Sequence, residues 1–324
     1  MQNYACPSCK KNLLFTDNKK TNIICSNAKC NYSKKPFLVK SEIPILIPFE
    51  NEYCILKRKI QKSFTNYGSQ KRTLKTNKFL NNKLKKKLKQ FFVGENKYSK
   101  DNYKFLSEKL KPNKKILIIG GGIKGEGSSI FYRECKRQKI NMEIIDIYIS
   151  KECTVVADAH YLPYKDDYFD LIIIQAVLEH LAFPNIAVKE LERVLKVNGI
   201  IFSDVPFIQN VHEGSYDFTR FTHSGHRLLF KEFNEIKSGV NQGAFSSCLF
   251  ILSNTISSFS RVKMLGPLTR LLFSRVAKFL DKILSNKDNI DIACGTFLIC
   301  YKPKKSFRKK NYKWIVDYYQ GNQD

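Results

Sequence analysis

The 324-residue sequence has no stretch approaching the ~20 uninterrupted apolar residues of a membrane-spanning helix, so no transmembrane helix is expected. No secretory signal precedes its first cysteines, which argues against a disulfide framework and for a cytoplasmic protein. Acidic residues are scarce: 29 Asp and Glu stand against 56 Lys and Arg, for a formal net charge of +27. The shortage is local. Residues 57–115 hold 20 basic and 3 acidic side chains and residues 302–314 hold 7 and none, whereas residues 116–301 hold 21 and 20. The basicity therefore belongs to a linker and a tail, and the near-neutral central segment does not read as a nucleic-acid-binding surface.

Cysteine is present in a pattern. CPSC at Cys6 and Cys9 and CSNAKC at Cys25 and Cys30 form a C-x2-C-x15-C-x4-C array, and the other six cysteines are scattered. Two such knuckles close a tetrahedral structural Zn2+ site, and the short segment has too little apolar area to fold well without one. Four protein ligands leave no open position for a substrate. Residues 1–50 are read as this metal-binding domain, independent of the rest, and 51–110 as a basic helical linker. In the linker Leu80, Leu84, Leu88 and Phe92 recur one turn apart among lysines.

From Lys115 to Pro206 five signals follow one another. KILII runs into Gly120, Gly121 and Gly122, as a buried parallel strand does when it turns sharply against a ligand. EIIDI ends at Asp146, where a carboxylate can accept both hydroxyls of a ribose. VVADAHYLPY places Asp158 after a third strand. YFDLIIIQAVLEHL reads as a strand and a helix start, and ELERVLKVNG as an amphipathic helix ending at Asn198 and Gly199 before a fifth strand. The Gly120, Gly122 and Gly125 spacing also fits a dinucleotide oxidoreductase, but such an enzyme has no reason to carry the FDLIIIQ…VLEH segment.

In series these motifs resemble the class I S-adenosylmethionine (SAM)-dependent methyltransferases. The likeness is carried by Asp158, Ala159, Leu162 and Pro163, by Phe169 and Asp170, by Val177 to His180, and by Glu190, Arg193 to Lys196, Asn198 and Gly199. It covers residues 110–240 closely. The resemblance implies an α/β fold: a Rossmann-like seven-stranded sheet with its last strand antiparallel, spanning 111–304. It implies SAM as cofactor, with Gly120 and Gly122 under the methionine part, Asp146 at the ribose and Asp158 facing the adenine amino group; Gly121, Ala159 and Gln175 complete the cofactor set. Ile118 departs from the family, which has an acidic residue there, and Glu126 is the candidate to replace it at the methionine ammonium. The FLVKSEIPILIP run after the cysteines resembles short zinc-ribbon domains that are partners or fusions of methyltransferases.

After the fifth strand, HEGSYDFTRFTHSGH gathers His212, Glu213, Tyr216, Asp217, Arg220, His223 and His226 where this class places acceptor-binding groups. The run resembles methyltransferase-like proteins encoded with surface-polysaccharide and glycan genes. His212 is the first choice for a general base, with His180 and Asp217 beside it, and Arg220 is suited to an acidic or phosphorylated acceptor. Thr222 or Ser224 offers a cap to a helix expected from His226 to Phe233. An insertion at 245–290 precedes the last strand. Within it Leu268, Leu271, Leu272, Val276, Phe279, Leu280 and Ile283 share one helix face and Arg270, Lys278 and Lys282 the other. That helix is read as a lid, as an interfacial contact with the inner membrane face through 268–284 together with the linker, or as a dimer contact. Residues 305–324 are read as a basic tail.

The expected function is methyl transfer to an oxygen or nitrogen of a small, sugar-like or lipid-linked acceptor. An RNA methyltransferase, favoured by the linker and disfavoured by the neutral core, and a non-catalytic SAM-fold scaffold remain as rivals.

Overall fold

The computed structural model describes residues 3–48, 96–121, 127–260, 262, 264–307 and 312–321. The expected linker helix around Leu80 to Phe92, and the proposed cofactor contacts Gly122 and Glu126, lie outside these residues.

The N-terminal unit is a four-stranded antiparallel sheet of β1 (Leu13–Phe15), β2 (Asn22–Cys25), β3 (Phe37–Lys40) and β4 (Ile43–Pro44), in that order. Asp17 closes the first hairpin by accepting from the Thr21 and Asn22 amides at 2.9 and 3.2 Å. Ser41 and Glu42, at φ 50 and 65°, form the second, where both turn residues must enter the left-handed region.

The larger unit begins with α1 (Lys97–Glu108), capped by the Asn96 side chain. There follow β5 (Lys115–Ile119), α2 (Ser129–Arg137), β6 (Asn141–Asp146), β7 (Val155–Val156), β8 (Phe169–Gln175), α3 (Pro184–Val194) and β9 (Leu195–Pro206). The chain continues through α4 (His223–Leu229), β10 (Asn234–Gln242), α5 (Ala244–Phe259), α6 (Leu265–Leu280), α7 (Asn286–Ile290), β11 (Gly295–Tyr301) and α8 (Lys313–Asp317). The sheet order is β10-β11-β9-β8-β5-β6-β7. Strands β5 to β9 pair in parallel, and β11 runs against both of its neighbours. This is the expected seven-stranded fold. Its central strands read as unbroken apolar runs because alternate residues enter cores on opposite faces. Leu117, Ile119, Ile172 and Ile174 enter one, and Ile116, Ile118, Leu171 and Ile173 the other.

The helix before the fifth strand ends at Val194, four residues short of the expected Asn198. Leu195 already pairs with Phe169, and residues 196–199 bulge out, with Asn198 at φ 63° donating to the Lys302 carbonyl at 2.8 Å. Pairing with β8 outcompetes a last helical turn. The Glu190 and Arg193 side chains of α3 instead tie down the chain after β7. Glu190 accepts from the Leu162 amide at 2.9 Å, and Arg193 donates to the Leu162 and Tyr164 carbonyls at 3.0 and 2.7 Å.

The N-terminal unit is not independent of the large sheet. Ile45 bridges Val156 in parallel, the Leu46 amide donates to the Val156 carbonyl at 2.8 Å, and the Ala5 amide donates to that of Pro163 at 2.9 Å. Lys10 pairs with Glu190 at 2.8 Å. Cys6, Ile23, Phe37 and Leu46 share one core with Leu162 and Tyr164, so the small unit completes its apolar interior on the large one.

The insertion is an antiparallel helix pair. Gly266 lets α6 approach α5, since a Cβ there would lie 1.9 Å from Ser257 Oγ. The buried Asp281 carboxylate, just past α6, accepts from the Gly243, Phe245 and Ser246 amides at 3.2, 2.8 and 3.3 Å, placing negative charge at the N-terminus of α5. Among the described residues no helix is long and apolar enough to cross a membrane.

Candidate active site

The carboxyl ends of parallel strands carry the ligand sites of open α/β sheets. At that edge β5 ends in Gly120, at φ 71°, where the Gly120 and Gly121 amides donate to the Ile145 carbonyl at 2.9 and 3.3 Å. A Cβ on Gly120 would lie 2.3 Å from Val177 Cγ2, and one on Gly121 would lie 2.4 Å from Ile144 Cγ2. Both glycines are thus demanded by the chain's own packing. Asp146 ends β6, its Oδ1 accepting from the Tyr148 amide at 3.2 Å, and stays partly exposed. Asp158 is buried after β7, where it caps the Ala159–Tyr161 turn and meets His160 Nδ1 at 2.7 Å. Ala159 is buried in that turn.

Gln175 ends β8 inside a polar chain that sequence reasoning missed. Its Oε1 accepts from Tyr103 Oη of α1, and its Nε2 donates to Asp204 of β9 at 3.0 Å. Asn241 of β10 donates to both Asp204 oxygens at 2.8 and 2.7 Å, and Asn96 donates to Asn241 at 3.3 Å. Burial pushes Asp204 up to about 7, against the lowering effect of Gln175 and Asn241. Tyr103 comes from the segment before β5, where no motif marks it.

Ala176 then takes φ 49°, a region costly for a residue with a Cβ, and throws the chain into a short turn over Leu178–His180. Glu179 is fully buried; burial pushes its carboxyl up to about 8, and neither oxygen has a hydrogen-bond partner. His180 turns its Nδ1 to the Tyr216 carbonyl at 2.9 Å. A carbonyl only accepts, so the ring proton sits on Nδ1 and Nε2 keeps a lone pair. Burial lowers the basicity of this ring. His212 Nε2 lies 3.1 Å from His180 Nε2.

Asp217 and Arg220 stand one step behind, which corrects their expected roles. Arg220 grips Asp217 with both terminal nitrogens and donates to the Gln209, Thr219 and Asn210 carbonyls at 3.3, 3.0 and 3.1 Å. Its guanidinium is spent on folding the 209–220 loop and offers no donor to an acidic acceptor. Asp217, held at about 2 by the Arg220 hydrogen bonds, accepts from the His212 amide at 2.9 Å and lies 3.5 Å from His212 Nδ1. It orients His212 and does not itself act as a base.

His223 and His226 turn inward on α4, away from the acceptor side. His226 meets Ser203 and Thr296 hydroxyls at 2.8 and 3.3 Å, and His223 meets that of Ser238 at 3.0 Å. Thr222, one of the two expected caps, accepts from the Gly225 amide at 3.0 Å, and the helix it starts runs from His223 to Leu229, three residues earlier than expected at its start.

In the N-terminal unit the four thiols converge. Cys6 and Cys30 Sγ are 3.8 Å apart, Cys9 and Cys25 Sγ 3.3 Å, and all four lie within 4.8 Å of one another. Tetrahedral Zn–S bonds of about 2.3 Å set sulfurs about 3.8 Å apart, so the donor set fits zinc.

Residues 125–203 match the family model of a methyltransferase domain. The ubiquinone/menaquinone biosynthesis C-methyltransferase of Neisseria gonorrhoeae is 37% identical over 67 residues, 20% of this chain and 27% of that protein. Its counterpart from Neisseria meningitidis serogroup C is 29% identical over 120 residues, 33% of this chain and 49% of that protein. The chain thus spans between about a quarter and half of these relatives. Among solved structures, a Haemonchus contortus phosphoethanolamine N-methyltransferase aligns at 16% identity and a TM-score of 0.42, covering 67% of this chain and 57% of that one. A Haloferax volcanii methyltransferase in complex with the Trm112 activator aligns at 13% identity and 0.41, covering 67% and 93%.

Proposed function

We propose that this chain is a SAM-dependent methyltransferase acting on an oxygen or nitrogen of a small, sugar-like or lipid-linked acceptor. The observation that carries the reading is the single sheet edge on which Gly120, Asp146, Asp158 and Gln175 stand in a row beside the facing imidazoles of His180 and His212. SAM supplies an electrophilic methyl group when bound. Asp146 offers a carboxylate to the ribose, and Asp158 a buried one to the adenine side. The Tyr103–Gln175–Asp204 chain stiffens the neighbouring stretch of the edge at β8 and β9.

On the acceptor side His212 is the group best placed to take a proton, its Nδ1 turned to Asp217 and its Nε2 to the site. Alignment of acceptor and methyl donor supplies most of the remaining acceleration. The four thiols hold one structural zinc. A lipid-linked acceptor is favoured by α6, where Leu268, Leu272, Val276 and Phe279 are 48, 47, 51 and 60% exposed. Lys282 lies nearby for an anionic headgroup, whereas Arg270 is spent over the Phe250 ring at 4.9 Å. On this reading the protein works in the cytoplasm at the inner membrane face.

The test is turnover. Tritiated SAM incubated with the protein and fractionated lipid, glycan and RNA pools should label the lipid-linked glycan fraction, and His212→Ala should abolish the label. Label confined to RNA would replace the acceptor class, and wild-type levels of label in His212→Ala would remove His212 from it.

A further inference from the structure

Glu179, His180 and His212 bring three ligand atoms within 4.8 Å of one another. Glu179 Oε1 lies 3.7 Å from His180 Nε2 and 3.8 Å from His212 Nε2, and the two nitrogens are 3.1 Å apart. A triangle with these edges has a circumradius of about 2.1 Å, the bond length of zinc to imidazole nitrogen or carboxylate oxygen. A single ion near its centre would reach all three atoms at once.

The surroundings prepare this arrangement. The Tyr216 carbonyl fixes the proton of His180 on Nδ1, and the Asp217 carboxylate draws that of His212 to its own Nδ1 at 3.5 Å. With both protons on Nδ1 each Nε2 keeps a lone pair for an ion, as the outer partners of metal-bound histidines arrange. At 3.1 Å the two Nε2 atoms need either a shared proton or a cation between them. Glu179 adds a carboxylate that is 0% exposed, with neither oxygen hydrogen-bonded. A carboxyl group buried in this way either stays neutral or takes a nearby cation. Arg220 does not meet the demand, because its donors go to Asp217 and to three loop carbonyls.

We propose that Glu179, His180 and His212 bind a divalent first-row transition-metal ion at the acceptor side of the site. Two imidazoles and one carboxylate suit zinc, iron or manganese and do not suit calcium or magnesium, which prefer oxygen donors alone. Three protein ligands leave further positions of the ion open, unlike the closed four-cysteine site. The chemistry that fills them is one or two hydroxyl or carboxylate oxygens of the acceptor, so the proposal narrows the acceptor to an oxygen-bearing molecule. This last step rests on the methyltransferase reading, whereas metal binding itself does not; with an ion bound, His212 Nε2 is a ligand and takes no proton, and the proton of the acceptor hydroxyl would leave to solvent.

The experiment is a calorimetric titration of the full chain, its cysteine site already loaded with zinc, with Zn2+ and separately with Mn2+. One further ion per chain should bind in at least one titration, with affinity at least tenfold lower in both His212→Ala and Glu179→Gln. His212 lies at the surface and Gln keeps the shape of Glu179, so both variants retain the fold, which the SAM titration of each confirms. Absence of a further ion with both metals, or equal binding in the variants, overturns the proposal. Failure to bind SAM would sink the methyltransferase reading and leave the metal result standing.

Discussion

His180 and His212, 32 residues apart in sequence, face each other with ring planes at 82° and Nε2 atoms 3.1 Å apart. One comes from the turn after β8 and the other from the loop after β9, so the pair exists only while that loop is held. The clamp is Arg220. Arg220→Lys should free the loop, because an ammonium cannot reproduce the fork to Asp217 or reach three carbonyls at once. Amide hydrogen exchange over 209–220 should rise at least tenfold while SAM affinity stays within twofold. Unchanged exchange would show that the loop is held by something other than this guanidinium.

Much of this was legible in the sequence, for physical reasons. Buried parallel strands betray themselves as apolar runs, so Ile116 to Ile119 and Leu171 to Ile174 announced the sheet, and the four cysteines announced their own convergence. What stayed illegible was the direction in which polar side chains point. His212 and His226 look alike in sequence, yet α4 turns His226 into the core and the loop turns His212 outward. Arg220 reads as an anion binder until its five donors are counted. Tyr103 and Asp204 carry no motif at all, since their partners come from other strands and helices.

The shared core of the two units revises the expectation that the cysteine domain stands alone. Cys6→Ser, or treatment with a zinc chelator, should lower the melting temperature of the whole chain, because Leu162 and Tyr164 share a core with Cys6 and its neighbours. Differential scanning calorimetry should show one transition that moves down by several degrees. A separate low-temperature transition with the main one unmoved would contradict the shared core.

His226 predicts an acid limb of stability. Burial, with a smaller effect of His223, depresses it from its ordinary 6.5 to about 3, so the fold holds it neutral while the unfolded chain binds a proton below 6.5. The unfolded state then carries more protons, and stability falls as pH drops from about 6.5 toward 3, by a few kcal/mol in total. Urea unfolding at pH 7 and pH 5 should show the loss, reduced in His226→Gln. An equal loss in the variant would assign the limb to other groups.

The apolar stripe of α6 predicts lipid binding without charge loss. Replacing both Leu272 and Phe279 by Ser should reduce sedimentation with anionic vesicles at least tenfold, since it removes apolar area and no basic residue. Structured RNA should bind weakly. RNA affinity falling about a thousandfold between 50 and 200 mM salt would instead indicate six or more phosphate contacts and an RNA acceptor.

The central claim is that the sheet edge from Gly120 to Gln175 is built for SAM, and calorimetric titration of the purified chain tests it most directly. SAM and its demethylated product should each bind at one site, and NAD should give no heat. Asp146→Ala should weaken SAM by about 1.5–3 kcal/mol, the range for losing a charged hydrogen-bond partner, with the fold unchanged. Binding of NAD without SAM, or SAM affinity indifferent to Asp146, would contradict the account.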